Sequence, residues 1–406
     1  MSNTVLHEAF YDPTSPEAHE NPYPLYERLR DEYPLYYCEA QGVWVLSRHA
    51  DVKQGLRDWE TFSSAQGVEI GEYVQFFGEG SIQELDPPHH DTVRKVLAAR
   101  FMNKRVKEYE PMVRACAEEL IAELIKEPTA DLGSQFTQSL PILTIFRILG
   151  IPDPDINWAM RTGLEMLSRP AGETGPSPRA AQLRSELVDY MVAQVESRRN
   201  PGEGNAYADD AFGDIAAGID AGLMKVSEIQ GLALLLIAAG METTTSLMGN
   251  MVHALATGTI TPEQLLGDHG QVSASAIDEF LRFDAPAQWL ARVTTRPVEL
   301  HGIELPVGSR VLMSFASANR DPREFDRADE LVLDRDGARN LAFGEGIHFC
   351  LGMPLARLEA RVGISTLIEK APPFTLANPA TRYPSHVIRG YESIPVTFGS
   401  TPTLTP

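Results

Sequence analysis

Four short motifs in this 406-residue chain combine residue types that could do chemistry. The first is Phe343-Gly344-Glu345-Gly346-Ile347-His348-Phe349-Cys350-Leu351-Gly352, a cysteine behind a glycine-punctuated turn and ahead of an apolar helical pattern, Met353–Leu367. A cysteine just before a helix meets free N–H groups and the positive end of the helix dipole, which lower its pKa and favour thiolate, the strong metal ligand. The plain alternative is a buried free thiol. The second motif, Ala239-Gly240-Met241-Glu242-Thr243-Thr244, sets an acid beside an alcohol, a pair able to pass protons, or else a polar kink in a helix. In the third, Glu279-Phe280-Leu281-Arg282, opposite charges three residues apart share one helix face, as in any surface ion pair. The fourth is Asp86-Pro87-Pro88-His89-His90-Asp91-Thr92-Val93-Arg94, where a proline pair suits a first helical turn and His90 and Arg94 project from one face.

The elements that must position these groups are mostly helical. Short helices are expected at Asn21–Asp31 and Ala50–Asp58, with strands at Leu35–Cys38 and Gly42–Ser47 between them. Phe62–Leu85 reads as a loop in which Val68, Ile70, Tyr73, Val74, Phe76 and Phe77 alternate with glycines, as in a lid over something apolar. Helical patterns follow at His89–Phe101, Val106–Ile125, Phe136–Leu149, Pro154–Leu167 and Pro178–Arg198, with Arg169–Pro178 as a surface loop before the last. Val226–Ala256 is apolar almost throughout and predicts a central helix of about 45 Å. A helix at Val272–Phe283 and strands near Val293–Leu300 and Arg310–Met313 complete a chain that is mainly α with small β-sheets, in one domain over residues 1–406.

Composition narrows the function. The hydrophobic content of 43% can fill a large core, and a net charge of −21 repels phosphate backbones, so no nucleic-acid partner is expected. Cys38, Cys116 and Cys350 are far apart, without the spacing of a disulfide framework or zinc site. The N-terminus lacks the regions of a signal peptide and no apolar run is expected to reach membrane-spanning length, so a cytoplasmic protein without a membrane partner is expected. One segment runs against the acidic balance: Arg94, Lys95, Arg100, Lys104, Arg105 and Lys107 stand between Asp91 and Glu108 with no acid among them.

Together these motifs resemble those of the cytochromes P450, soluble and bacterial in type, from about Asn21 to Val396 and most strongly from Glu279 onward. The resemblance implies haem b (iron protoporphyrin IX) held between the central helix and the cysteine loop, with Cys350 as iron ligand and Phe343 shielding the sulfur. Gly344 and Gly346 would bring the turn's backbone to the haem face. It implies Glu242 and Thr243 as the acid and alcohol that handle protons, with Gly240 loosening the helix to give room for oxygen. His90, Arg94, Arg292 and His348 would meet the haem propionates, which need cationic or N–H partners in an apolar interior. Glu279 and Arg282 would form a buried structural pair completed by Arg335. Ser317-Ala318-Asn319-Arg320-Asp321-Pro322 and Phe325 match a structural segment, while Asn340 stands where related sequences often carry His.

The implied activity is a monooxygenase that inserts one atom of O2 into a small to medium apolar molecule by hydroxylation or oxidative demethylation, with a lean to terpenoids or substituted aromatics. No Gly-x-Gly-x-x-Gly fingerprint is present, so NADH or NADPH would act indirectly, through a separate ferredoxin reductase and a ferredoxin docked at the basic segment. Expected pocket walls are Gln66, Val68, Leu235, Ala238, Ala239, Ala287, Leu290, Val387 and Ile388. The alternatives are a peroxygenase using H2O2, against which Glu242 and Thr243 speak, and a haem-based sensor or carrier, which needs no proton relay.

Overall fold

The computed structural model describes residues 9–70, 77–167, 177–202, 204–267, 269–335 and 339–399. Tyr73, Val74 and Phe76 of the expected lid lie outside these residues, as does the expected loop at Arg169–Pro178 up to residue 176.

The architecture is helical around one long element, Ile229–Ala256, which opens on a 3-10 turn at Val226–Glu228. Its all-round apolar surface is explained by its neighbours. Helices Ser139–Leu149, Met353–Lys370, Pro178–Glu196 and Asp153–Leu167 pack about it, so leucines and alanines are buried on every side. By length and composition this helix could cross a membrane, against the expectation that no run reaches that length, but most of it is buried inside the protein. Gly231 lets the C-terminal part of the lid segment press on its first turn: Gly231 N–H donates to Glu79 O at 3.1 Å, and a Cβ there would fall 2.1 Å from that oxygen.

Several boundaries differ from the sequence expectation for local reasons. Val106–Ile125 is two helices, Asn103–Glu108 and Glu110–Leu124, because Pro111 starts the second. Phe136 lies in a π-turn, Gly133–Thr137, ahead of Ser139–Leu149. Helix His89–Ala98 begins after the proline pair, with Pro88 as its cap residue, so the pair precedes the first turn. Ala211–Asp220 is a helix capped by Asp210, whose Oδ1 accepts from Gly213 N–H at 2.7 Å.

The main sheet has five strands in the order Leu35–Cys38, Val43–Leu46, Arg310–Met313, Leu290–Thr294, Phe62–Ser63. The expected strand Val293–Leu300 is two, because residues 295–297 turn out of this sheet before the hairpin Val298–Leu300 with Ile303–Leu305. Arg292 pairs with Val311 inside the sheet, which fixes its backbone. A three-stranded sheet, Thr129–Asp131, Pro395–Phe398 and Phe374–Leu376, ties the C-terminus to the helical body.

Candidate active site

Glu279 anchors the segment that leads to Cys350. Helix Ala274–Phe283, capped by Ser273, buries both Glu279 and Arg282. Glu279 Oε1 accepts from Arg282 Nη2 at 2.7 Å and Oε2 from Arg282 Nε at 2.8 Å; Arg335 Nε and Val332 N–H donate to the same carboxylate at 2.9 and 2.8 Å. Burial alone would raise this carboxyl, but these donors hold it below the usual range. Arg282 spends its remaining N–H groups on the carbonyls of Asn319, Ala328 and Glu330, so one ion pair fixes the irregular chain ahead of the cysteine turn. Asn340 also holds this stretch: it donates to Asp278 O at 2.9 Å and accepts from Ala342 N–H at 3.0 Å.

The turn itself closes when Cys350 N–H donates to Phe343 O at 2.9 Å. Gly344 and Gly346 both have φ near +72°, as the turn requires. The tight approach at Gly346 is to helix His49–Arg57 rather than toward the cavity, since a Cβ would lie 2.6 Å from Leu56 O. The Cys350 sulfur opens on an internal cavity yet sits deep in the molecule. Against the expected lowering, burial raises its thiol above the ordinary value on balance, and the backbone N–H groups of Gly352 and Met353 and the nearby Arg94 offset this only in part.

This cavity, of about 740 Å³, runs between the cysteine turn and the central helix. Across it stand Gly240, Glu242 and Thr243, and Thr243 Oγ1 donates to Ala239 O at 2.9 Å. The central helix is unbroken here. Gly240 serves packing rather than the expected loosening, because a Cβ would sit 3.0 Å from Ile145. Of the expected wall residues, Leu235, Ala238, Ala239, Ala287, Leu290, Val387 and Ile388 line the cavity. Gln66 and Val68 do not. Their carbonyls are bound by Arg310 Nη2 and Ala291 N–H, which turns this stretch into a backing for the sheet, and Glu69 and Phe77 reach the wall instead.

Nitrogen groups from distant segments gather at the Cys350 end. Arg94 and His348 line the cavity, and His90 lies behind the wall with its ring centroid 4.7 Å from that of His348. Arg94 Nη2 donates to Phe349 O at 2.6 Å, and Ser64 Oγ lies 3.2 Å from His348 Nε2. Arg292 is buried, its pKa pushed down to about 10 by burial against only the distant pull of Asp86. Burial, then Arg292, His90 and Arg94, push His348 down to about 2, so it is neutral near pH 7. His90 Nε2 is buried without a hydrogen-bond partner. A buried guanidinium, a partnerless ring nitrogen and a second imidazole at one spot fit an occupant bearing carboxylates.

Among the wall residues that sequence reasoning missed, two have raised pKa values. Glu359, on the helix after Cys350, is buried against Thr144 and Thr244, and burial pushes its carboxyl well above the usual range. A lone acid inside the apolar run Met353–Leu367 was the available signal. Tyr383, whose hydroxyl accepts from Gln138 Nε2 at 3.0 Å, has its pKa raised by burial and then by neighbouring carboxylates including Glu242. Nothing local marks it.

Comparison with known proteins places this geometry. The Cytochrome P450 family model matches residues 271–377. Cytochrome P450 123 of Mycobacterium tuberculosis is 32% identical over 395 residues, covering 96% of this chain and 97% of the relative. Vitamin D(3) 25-hydroxylase of Pseudonocardia autotrophica is 32% identical over 398 residues, 94% of each. The crystal structure of CYP109B1 from Bacillus subtilis superposes with a TM-score of 0.78 at 31% identity, covering 94% of this chain and all of that one. CYP109E1 from Bacillus megaterium, solved in complex with testosterone, gives 0.80 at 27% identity, covering 95% and 100%.

Proposed function

The chain belongs to the cytochrome P450 family, is a monooxygenase with a haem-thiolate cofactor, and on that footing we propose which of its residues run the reaction and on what. When bound, haem supplies the iron that takes up and splits O2, with thiolate donation assisting the cleavage. Cys350 is the ligand, its sulfur steadied by the N–H groups of Gly352 and Met353. Arg292, His90, His348 and Arg94 receive the propionates. Glu242 would take protons from solvent and Thr243 would hold one at its hydroxyl, which now donates to Ala239 O and would have to turn from it to donate into the cavity. Glu279, Arg282 and Arg335 hold the approach to the cysteine turn. The observation that carries this reading is that Cys350 and the Glu242–Thr243 pair, 107 residues apart in the chain, line one and the same largely apolar cavity.

We further propose a small to medium apolar substrate, hydroxylated or oxidatively demethylated, with a lean to terpenoids or substituted aromatics. The alanines, leucines and valine of the wall support this. So do a relative named for vitamin D(3) and a structural neighbour solved with testosterone. Electrons come from a ferredoxin and its separate reductase, in a cytoplasmic protein that works as one catalytic unit. Exposed Lys95, Lys104 and Lys107 support docking near Cys350, but the basic segment is smaller than its sequence suggests. Arg100 is buried against Asp209 and Asp214, and Arg105 is paired with Glu108 and Asp209. Turnover with ferredoxin, reductase and NADH, set against H2O2 alone, tests the assignment. Product with the electron chain supports it; product only with H2O2 makes the enzyme a peroxygenase, and none with either favours a sensor.

A further inference from the structure

A group of polar side chains interrupts the largely apolar cavity wall: Ser134, Gln138, Tyr383 and Glu392 line the cavity together with Glu242. Ser134 lies in the π-turn Gly133–Thr137, and Gln138 directly follows it. Tyr383 directly follows the strand Thr381–Arg382, which pairs with Tyr391–Ser393, the strand of Glu392. Two glycines let this C-terminal segment press on its neighbours. A Cβ at Gly133 would lie 2.8 Å from Glu392 O, and one at Gly390 would run into the Ser246 hydroxyl on the central helix. Ser246 Oγ donates to Glu242 O at 2.8 Å, and Tyr383 N–H donates to Gly390 O at 3.2 Å. The backbone of Tyr383 is thus tied, through Gly390, to the turn of helix that begins at Glu242.

The side chain of Tyr383 is fixed in one role. Its hydroxyl accepts from Gln138 Nε2 at 3.0 Å, and among the described residues nothing accepts its own proton. Burial, and then the carboxylates of Glu242, Glu392 and Asp131, raise its pKa against the opposing bond from Gln138, so the phenol keeps that proton. A phenol held as a donor, near acids and in a polar stretch of wall that begins at exposed Glu392, is a place where water is ordered. We propose that Tyr383 is a positioning residue for proton delivery: held by Gln138, it orders the water through which solvent protons, entering beside Glu392, reach Glu242. The proton comes from bulk water and ends on the Glu242 carboxylate, while Tyr383 gives up none. This rests on the proton-handling role given to Glu242 above.

The test compares the unmodified holoprotein with Tyr383→Phe, which keeps the ring and removes only the donor. Turnover uses ferredoxin, reductase and NADH, with a terpenoid or methoxy-substituted aromatic that shifts the Soret band of the unmodified protein. Product formation is expected to fall roughly tenfold in Tyr383→Phe, against about a hundredfold in Glu242→Gln, with the Soret shift, the melting temperature and the rate of reduction by ferredoxin unchanged. The solvent deuterium isotope effect on product formation should rise, because proton delivery then limits turnover, and Gln138→Leu should act in the same direction. Crystals of the holoprotein should hold ordered water between the Tyr383 hydroxyl and the Glu242 carboxylate, and those of Tyr383→Phe should lack it. Full product formation with an unchanged isotope effect in Tyr383→Phe overturns the proposal, as does an unmodified holoprotein in which the Tyr383 hydroxyl meets no water. If Glu242→Gln itself keeps full product formation, the role of Glu242 falls instead. Should Tyr383→Phe lose haem, the water in the unmodified crystal and the Gln138→Leu variant decide.

Discussion

The imidazoles of His90 and His348 meet edge to face, with ring centroids 4.7 Å apart and an interplanar angle of 66°. One comes from the helix after the lid and the other from the cysteine turn, and His90 Nε2 is left without a partner. With buried Arg292 beside them they gather nitrogen groups at one spot, which suits an anionic group.

Arg292→Ala should therefore weaken haem retention more than it weakens the fold. Loss of a charge-assisted bond of this kind speeds haem transfer to excess apomyoglobin roughly ten- to hundredfold. Arg292→Lys should recover part of that. Unchanged transfer in the alanine variant would remove Arg292 from the propionate site.

Glu279→Ala leaves Arg282 buried and unpaired, at a cost of about 3–5 kcal/mol, and should abolish haem incorporation. Arg335→Ala should be milder, because Arg282 still holds the carboxylate. The pH dependence follows from the same pair. The folded-state pKa lies below the unfolded value, so the stabilisation is fully present above about pH 4.3 and is lost as pH falls through the lower folded value. Haem release followed by Soret absorbance should set in within that acid window. Normal holoprotein yield from Glu279→Ala would refute the anchoring role.

Thr243→Ala and Glu242→Gln should leave substrate-induced spectral change intact while product formation falls about a hundredfold. In Thr243→Ala, NADH consumption should continue, with electrons appearing as H2O2. Full coupling in Thr243→Ala would argue for another proton donor.

The basic segment divides into two classes of residue. Charge reversal at Lys104 or Lys107 should slow reduction by ferredoxin several-fold at low salt, and added salt should erase the difference. Arg100→Ala should lower thermal stability instead, since Arg100 clamps helix Ala211–Asp220. Equal loss of electron transfer from all three would contradict this division.

What could be read in the sequence was local. The cysteine turn and Glu279-x-x-Arg282 are set by short spacings and glycine conformations, and the central helix by an apolar run too long for a surface helix. What could not be read depends on partners far along the chain. Arg105 has Glu108 close by, but the other acids that neutralise Arg100 and Arg105 lie more than 100 residues on, at Asp209 and Asp214. Gln66 and Val68 were misplaced because a loop has no periodicity to fix which side chains face inward. Gly240 has the composition of a hinge, but Ile145 decides what it does. Helix Ala211–Asp220, rich in small residues and holding two glycines, gives too weak a pattern to stand out.

The most direct test is the visible spectrum of the reduced protein under CO, recorded for the unmodified chain and for Cys350→Ser reconstituted with haem. Thiolate ligation by Cys350 predicts a strongly red-shifted Soret band in the first and its loss in the second. A band without that shift in folded holoprotein, or one that survives Cys350→Ser, would contradict the account.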